Sequence, residues 1–218
     1  MKTNQDLKTD VENALLWEPL LHTAKISVIA DDGIITLAGT VDSYAKKSEA
    51  EDAAKKVAGV KVIIEQMEVV LNSEIRKTDQ EIAREILSTL AASWVPADKL
   101  KIKVEHGVIT LEGTLQWNFQ KQAATKSLKN ITGITKIKNM IVIKADTPDE
   151  VEKKHLQNAL KLNWAMNGQD VRVEVHGKAV TLSGVVNSYY QKEEAERIAW
   201  QAPGVNAVKN DLALDLKD

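Results

Sequence analysis

The chain has 218 residues, of which 44% are hydrophobic and 28% charged, with four His, no Cys and a formal net charge of -2. This is the composition of an ordered globular chain. The lack of Cys excludes disulfides, thiol catalysis and Cys-ligated metal, and no stretch approaches the roughly 20 apolar residues that span a bilayer.

Taken in order, the chain reads as three versions of one unit. The first opens with a helix from Asp6 to Leu15, where Leu7, Val11, Ala14 and Leu15 recur at the spacing of one helix face. The stripe returns as Ile82, Ile86 and Leu90 after Glu81, and again between Glu150 and Leu160. Acidic residues crowd all three starts, as a helix N-terminus favours. Thr78 with Glu81, and Thr147 with Glu150, have the spacing of capping boxes. Trp17, Trp94 and Trp164 follow the last leucine of each stripe, and the expected role of each is to cover the edge of its own core with a large apolar ring.

A first strand follows, clearest in Leu100–Glu105, where strict alternation marks one buried and one wet face; Val171, Val173 and Val175 repeat it. Each first strand leads to a turn dipeptide, Asp32-Gly33, His106-Gly107 or His176-Gly177, and the second strand closes on Gly39, Gly113 or Gly184. Gly accepts the positive φ of a tight turn, and the closing glycines are expected to tolerate no side chain. The second helix buries Ala50, Ala53, Ala54 and Val57; Ala124, Ser127, Leu128 and Ile131; and Ala195, Ile198, Ala199 and Ala202. Gly59, Gly133 and Gly204 then read as its C-caps. The third strand turns inward Ile63, Met67 and Val69; Ile137, Ile141 and Ile143; and Val208, Leu212 and Leu214.

The fold class is therefore α+β, three tandem αββαβ modules over 1–72, 77–146 and 147–218. Each is expected to be a three-stranded mixed sheet, the third strand parallel to the second, with two helices on one face and the other face open. Counted separately, 6–72 carries 7 basic and 12 acidic groups, 77–146 carries 11 and 7, and 147–218 carries 9 and 11. The middle module is the basic one.

The run Gly204-Val205-Asn206-Ala207-Val208-Lys209-Asn210-Asp211-Leu212-Ala213-Leu214, its counterpart Gly133 to Ile143, the preceding Gly-x-Val-x-Leu-x-Gly pattern and the Ala-rich helix resemble the BON domain of bacterial osmotically inducible periplasmic and nodulation-type proteins. The resemblance covers nearly the whole chain in three copies and implies the same αββαβ fold. It also implies binding to phospholipid surfaces and protection against osmotic or envelope stress. Glu65 departs from the pattern where Asn139 and Asn210 stand. Those two asparagines share the phase of apolar strand residues, so their amides are expected to satisfy backbone groups.

No catalytic constellation is visible, and neither a cofactor nor a metal is expected. His106 and His176 occupy the turn position of Asp32, while His22 and His155 have no partner at a metal-ligand spacing. The glycines lie at turns and caps and form no phosphate-binding fingerprint. One feature breaks the repeat: alternation puts Lys101, Lys103, Lys136, Lys138 and Lys144 on the wet sheet face of the second module. These are the candidate contacts for an anionic membrane or phospholipid, with Trp94 and Trp164 as the alternative membrane contacts. The rival expectation is a soluble protein–protein scaffold, and a third is a small-cation sensor without a calcium-like loop. Nucleic acid is disfavoured by the net charge and by the lack of an aromatic series beyond Trp117 and Phe119. The start, Met1 to Asp6, has no hydrophobic segment behind its lysine and predicts a cytoplasmic chain; the alternative is the periplasm, should a signal have been removed.

Overall fold

The computed structural model describes residues 2–71, 77–144, 151–166 and 168–214. Its elements repeat three times: α1 (Asn4–Leu16), β1 (Lys25–Asp31), β2 (Ile34–Val41), α2 (Tyr44–Lys55), β3 (Val62–Val69); α3 (Asp79–Ala91), β4 (Leu100–Glu105), β5 (Val108–Leu115), α4 (Asn118–Leu128), β6 (Lys136–Ile143); and α5 (Lys153–Leu162), β7 (Asp170–His176), β8 (Ala179–Val186), α6 (Tyr189–Gln201), β9 (Ala207–Leu214). In each sheet the middle strand of the sequence is central. It pairs antiparallel with the first strand and parallel with the third, in the same register throughout, as Leu37↔Glu65, Leu111↔Asn139 and Leu182↔Asn210 show.

Each module has its own core between helices and sheet. The alanines of the second helices, Ala50, Ala53, Ala54, Ala124, Ala195 and Ala199, are almost fully buried, because a small side chain lets a helix lie close to the sheet. The N-termini of α1 and α3 are organised alike. Thr78 and Glu81 form the expected capping box, and Thr3 with Asp6 forms one that the sequence reading passed over. The Thr147–Glu150 box lies outside the described residues. The helix α5 begins later than expected, at Lys153, after Val151 has entered the core. The side chain at the start of the first helix also ties down the hairpin. Asn4 accepts from the Asp32 amide at 2.9 Å, and Asp79 accepts from His106 at 2.8 Å and Gly107 at 3.0 Å.

The third strands are braced to the second helices. The Asn139 amide donates to Thr125 Oγ1 at 2.7 Å and to the Lys121 carbonyl at 3.2 Å, while its oxygen accepts from Ile141 at 3.0 Å. Asn210 repeats this with the Lys192 carbonyl at 2.8 Å, Glu196 at 3.1 Å and the Leu212 amide at 3.3 Å.

Three expectations need correction. First, the tryptophans do not cover their cores: Trp17, Trp94 and Trp164 are 83%, 89% and 79% exposed. The chain turns sharply after the first helix, and the smaller Leu21, Val95 and the pair Ala165 and Met166 take the covering positions. Second, the glycines after the second helix are not its caps. The C-caps of those helices are Lys56, Lys129 and Ala202, and Gly59, Gly133 and Gly204 lie in the following turn with positive φ. Gly133 passes so close to α3 that a Cβ there would strike Ile82. Third, His176 is not a turn residue. It is the last residue of β7, paired with Ala179, which leaves Gly177-Lys178 as the two-residue loop. Asp32-Gly33 and His106-Gly107 have positive φ at both positions, as a type I′ turn demands, whereas only Gly177 is positive in the third hairpin, the pattern of type II′.

Candidate functional site: outward sheet faces and a shared junction

Strand alternation turns one set of side chains of every sheet toward its helices and the other set outward. In the second module the outward rows are Glu105–Val108–Lys136, Lys103–Thr110–Lys138 and Lys101–Glu112–Met140, with Thr114 beside Val142. The structure thus brings Lys101, Lys103, Lys136 and Lys138 onto one exposed surface. Lys144 follows the end of β6, also exposed. The face is less uniformly basic than a count of lysines implies. Glu105 pairs with Lys103 at 2.9 Å, and Glu112 stands between Lys101 and Met140. Met140 and Val142 are 60% and 56% exposed. Their strand phase was readable in the sequence, but a search by charge passes over them.

The other two faces differ in kind. In the third module the charges are mixed and self-paired, Arg172 with Asp170 at 3.1 Å and Lys209 with Asp211 at 2.6 Å. In the first, Ile29, Ile34, Val62 and Ile64 are exposed on adjoining rows with Thr36. One fold therefore presents an aliphatic, a basic and a charge-balanced surface.

The modules meet through their second helices, at one repeated position. Twelve residues after the helix N-caps Ser43, Trp117 and Ser188 stand Lys55, Lys129 and Trp200, and each reaches into a neighbouring module. Lys129 pairs with Asp52 of the first module at 3.2 Å. Lys55 pairs with Glu193 of the third at 3.0 Å and lies over the Tyr189 ring at 5.8 Å. Trp200 packs against the core of the second module as well as its own. Tyr44 adds to the seam between the first two modules, packing against the second core with its hydroxyl bonded to the Ile137 backbone; burial pushes its pKa up. The contacts run in a cycle, second to first, first to third and third to second. Residues of α2, α4 and α6 line a cleft of about 960 Å³ inside it, among them Asp52, Lys55, Lys126, Lys129, Arg197 and Trp200.

The BON domain profile matches residues 3–70, 78–145 and 149–215. The chain belongs to the BON domain family. Among curated proteins, its BON modules are similar to osmotically-inducible protein Y of Escherichia coli (strain K12), 29% identical over 140 residues, covering 58% of this chain and 70% of the relative. Among solved structures, the C-terminal domain of CdsD, a structural protein of the type III secretion system of Chlamydia trachomatis, matches at 18% identity and a TM-score of 0.25, covering 98% of this chain and 100% of that one. The PrgH periplasmic domain matches at 11% identity and a TM-score of 0.20, over 95% of this chain and 100% of that one. At such scores neither likeness carries an argument.

Among the described residues of the BON modules, no helix is long and apolar enough to cross a membrane, and no group of three or more His, Asp or Glu side chains is placed to hold a metal ion. His106 donates its backbone amide to Asp79 with its φ at 52°, which makes it a turn residue of its BON module.

Proposed function

We propose that this tandem BON protein attaches to anionic phospholipid surfaces through the outward face of its second module and acts there in osmotic or envelope stress. One observation carries the reading: of three outward faces built on the same backbone, only this one gathers four lysines on its edge strands, β4 and β6. Similarity to an osmotically inducible protein supports the physiological half. A basic residue close to an anionic membrane contributes about 1 kcal/mol. With Glu105 and Glu112 on the same face, the attachment is weak and reversible, and its strength falls with salt because the Debye length is only about 8 Å at physiological ionic strength.

The test is co-sedimentation of the full chain with anionic and with neutral vesicles. The parent is expected to pellet with anionic vesicles at low salt and to remain in solution with neutral ones. Replacing Lys101, Lys103, Lys136 and Lys138 together with Gln is expected to abolish pelleting, while the same change at Lys153, Lys154 and Lys161 on α5 leaves it intact. A four-fold variant that pellets as well as the parent would transfer membrane contact to the exposed Trp94 or Trp164. The scaffold reading has the exposed aliphatic group of Ile29, Ile34, Val62 and Ile64 in its favour. It takes over if the parent ignores vesicles of either charge.

A further inference from the structure

The three seams between the BON modules are chemically unequal. The seam between the second and third modules is plugged by Trp200, a partly buried ring shared by two cores. The seam between the first and second is plugged by Tyr44 and clipped by Lys129 and Asp52. Between the first and third modules, among the described residues, no apolar side chain is shared by the two cores: the first includes nothing from the third, nor the third from the first. What joins them, among the described residues, is Lys55, held between Glu51 and Glu193 at 3.0 Å each and over the ring of Tyr189.

Chain connectivity sharpens the difference. The first module is joined covalently to the second, and the second to the third, but no peptide link closes the first to the third. The seam that rests on the Lys55 charge is therefore also the one that the backbone does not hold. We propose that Lys55 is a salt-operated latch: at low ionic strength it closes the three modules into a ring, and at high ionic strength the ring opens between the first and third modules, widening the cleft lined by α2, α4 and α6.

The physical basis is screening. The Debye length shrinks from about 10 Å at 0.1 M salt to about 3 Å at 1 M. An ion pair whose members are 18% and 48% exposed is reached by that screening, whereas Trp200 and Tyr44 are held by apolar contact, which added salt does not weaken. Burial works against the charge of Lys55, but the bonds and charges of Glu193 and Glu51 outweigh it and hold its pKa above that of an ordinary lysine. The latch therefore stays charged through the neutral range and responds to salt rather than to pH. The inference does not depend on the lipid reading.

The absence of Cys allows clean spin labelling of the full chain. Labels at Gln5 on α1 and Lys161 on α5 span the charged seam, and labels at Gln80 on α3 and Lys161 span the Trp200 seam. Between 0.05 and 1 M NaCl the first pair is expected to shift to longer, broader distances, and the second to keep its distribution. Lys55→Gln is expected to give the open distribution already at 0.05 M. Lys55→Arg, which keeps a cation between Glu51 and Glu193 and over the Tyr189 ring, is expected to retain the closed, salt-sensitive one. Far-UV circular dichroism confirms that the modules stay folded in each variant. A Gln5–Lys161 distance indifferent to both salt and Lys55→Gln overturns the latch. So does salt-driven opening of the parent that Lys55→Gln does not reproduce at low salt.

Discussion

Lys47 and Glu65, 3.0 Å apart, form in the first module an ionic version of the brace that Asn139 and Asn210 make with neutral amides. Glu65 still accepts from the amide two residues on, Met67 at 2.7 Å, as Asn139 does from Ile141. The ammonium of Lys47 then donates to the Met67 carbonyl at 2.6 Å, just as Lys192 donates to Leu212 at 2.7 Å in the third module. The acceptor role is kept and the donor role has moved to another side chain. Glu65→Asn is therefore expected to be nearly neutral, within about 0.5 kcal/mol. Asn139→Ala leaves a strand amide and a helix carbonyl without their partner and is expected to cost about 1–3 kcal/mol. Urea denaturation of the two variants beside the parent checks both, and equal losses would show that the brace does not stabilise the strand.

The glycines expected to close the second strands lie two residues before their ends, at Val41, Leu115 and Val186, and make a sharper case. Gly39, Gly113 and Gly184 have φ of 135°, 144° and 120°, and a Cβ on each would overlap a carbonyl oxygen at the start of the first strand, that of Lys25, of Lys99 just before β4, or of Asp170. Backbone strain alone costs on the order of 1–3 kcal/mol, and the overlap adds to it. Gly113→Val is expected to lower the thermal midpoint well below that of the parent. Gly177→Ala, with open space around its Cα, bears the strain alone and is expected to lose less. Reversal of that order would remove the steric explanation.

The exposed and the buried residue at the end of α3 predict opposite sensitivities. Trp94, 89% exposed, is expected to tolerate Ser within about 0.5 kcal/mol. Its neighbour Val95, 5% exposed, is expected to lose about 1–2 kcal/mol on replacement by Ala, from two buried carbons at roughly 0.8 kcal/mol each. The comparison is made by chemical denaturation. A Trp94 variant as damaged as the Val95 one would return the ring to the core.

Acid is expected to loosen the hairpin tether. The amides of Gly107 and His106 hold the Asp79 carboxyl below the usual carboxylate range. The Thr78 amide and hydroxyl do the same for Glu81, and the Thr3 hydroxyl and amide for Asp6. A folded pKa below the unfolded one means that the unfolded chain binds more protons in acid. The contribution is therefore complete above the unfolded values near 4 and lost as pH falls through the folded ones. Urea midpoints are expected to hold from pH 7 to about 5 and to drop below about 4, with a shallower drop in Asp79→Asn. Parallel curves for that variant and the parent would mean that the tether contributes nothing.

What the sequence disclosed followed from the link between burial and residue type. Leu7, Ile86, Ala124 and Leu212 recur at helix or strand periods because each faces a core, so helices, strands and inward residues could be read directly. The seams could not be read, since Lys55 and Lys129 look like any solvated helix lysine and no local pattern says which module lies opposite. The tryptophans misled because a large apolar area favours burial on average, yet Val95 and Met166 fill the space first. The third hairpin misled because His176-Gly177 copies His106-Gly107 in letters, while the strand register runs from Gly184. The outward face of the second module was legible as lysines and not as a mixed surface, since Glu112 and Met140 meet Lys101 only across strands.

The contacts of Lys129, Lys55 and Trp200 run in one cyclic order. A contact that joins unlike surfaces either closes on itself or continues into a filament. Here, among the described residues, it closes after three, with Asp52, Glu193 and the second core each taken by a neighbouring module. The three joints have also diverged, one to an indole and two to ammonium groups facing carboxylates. The repeats are thus no longer interchangeable, and a gene rearranged to reverse their order would place the Trp200 ring against Asp52. Copy order is written into one position at the end of each second helix.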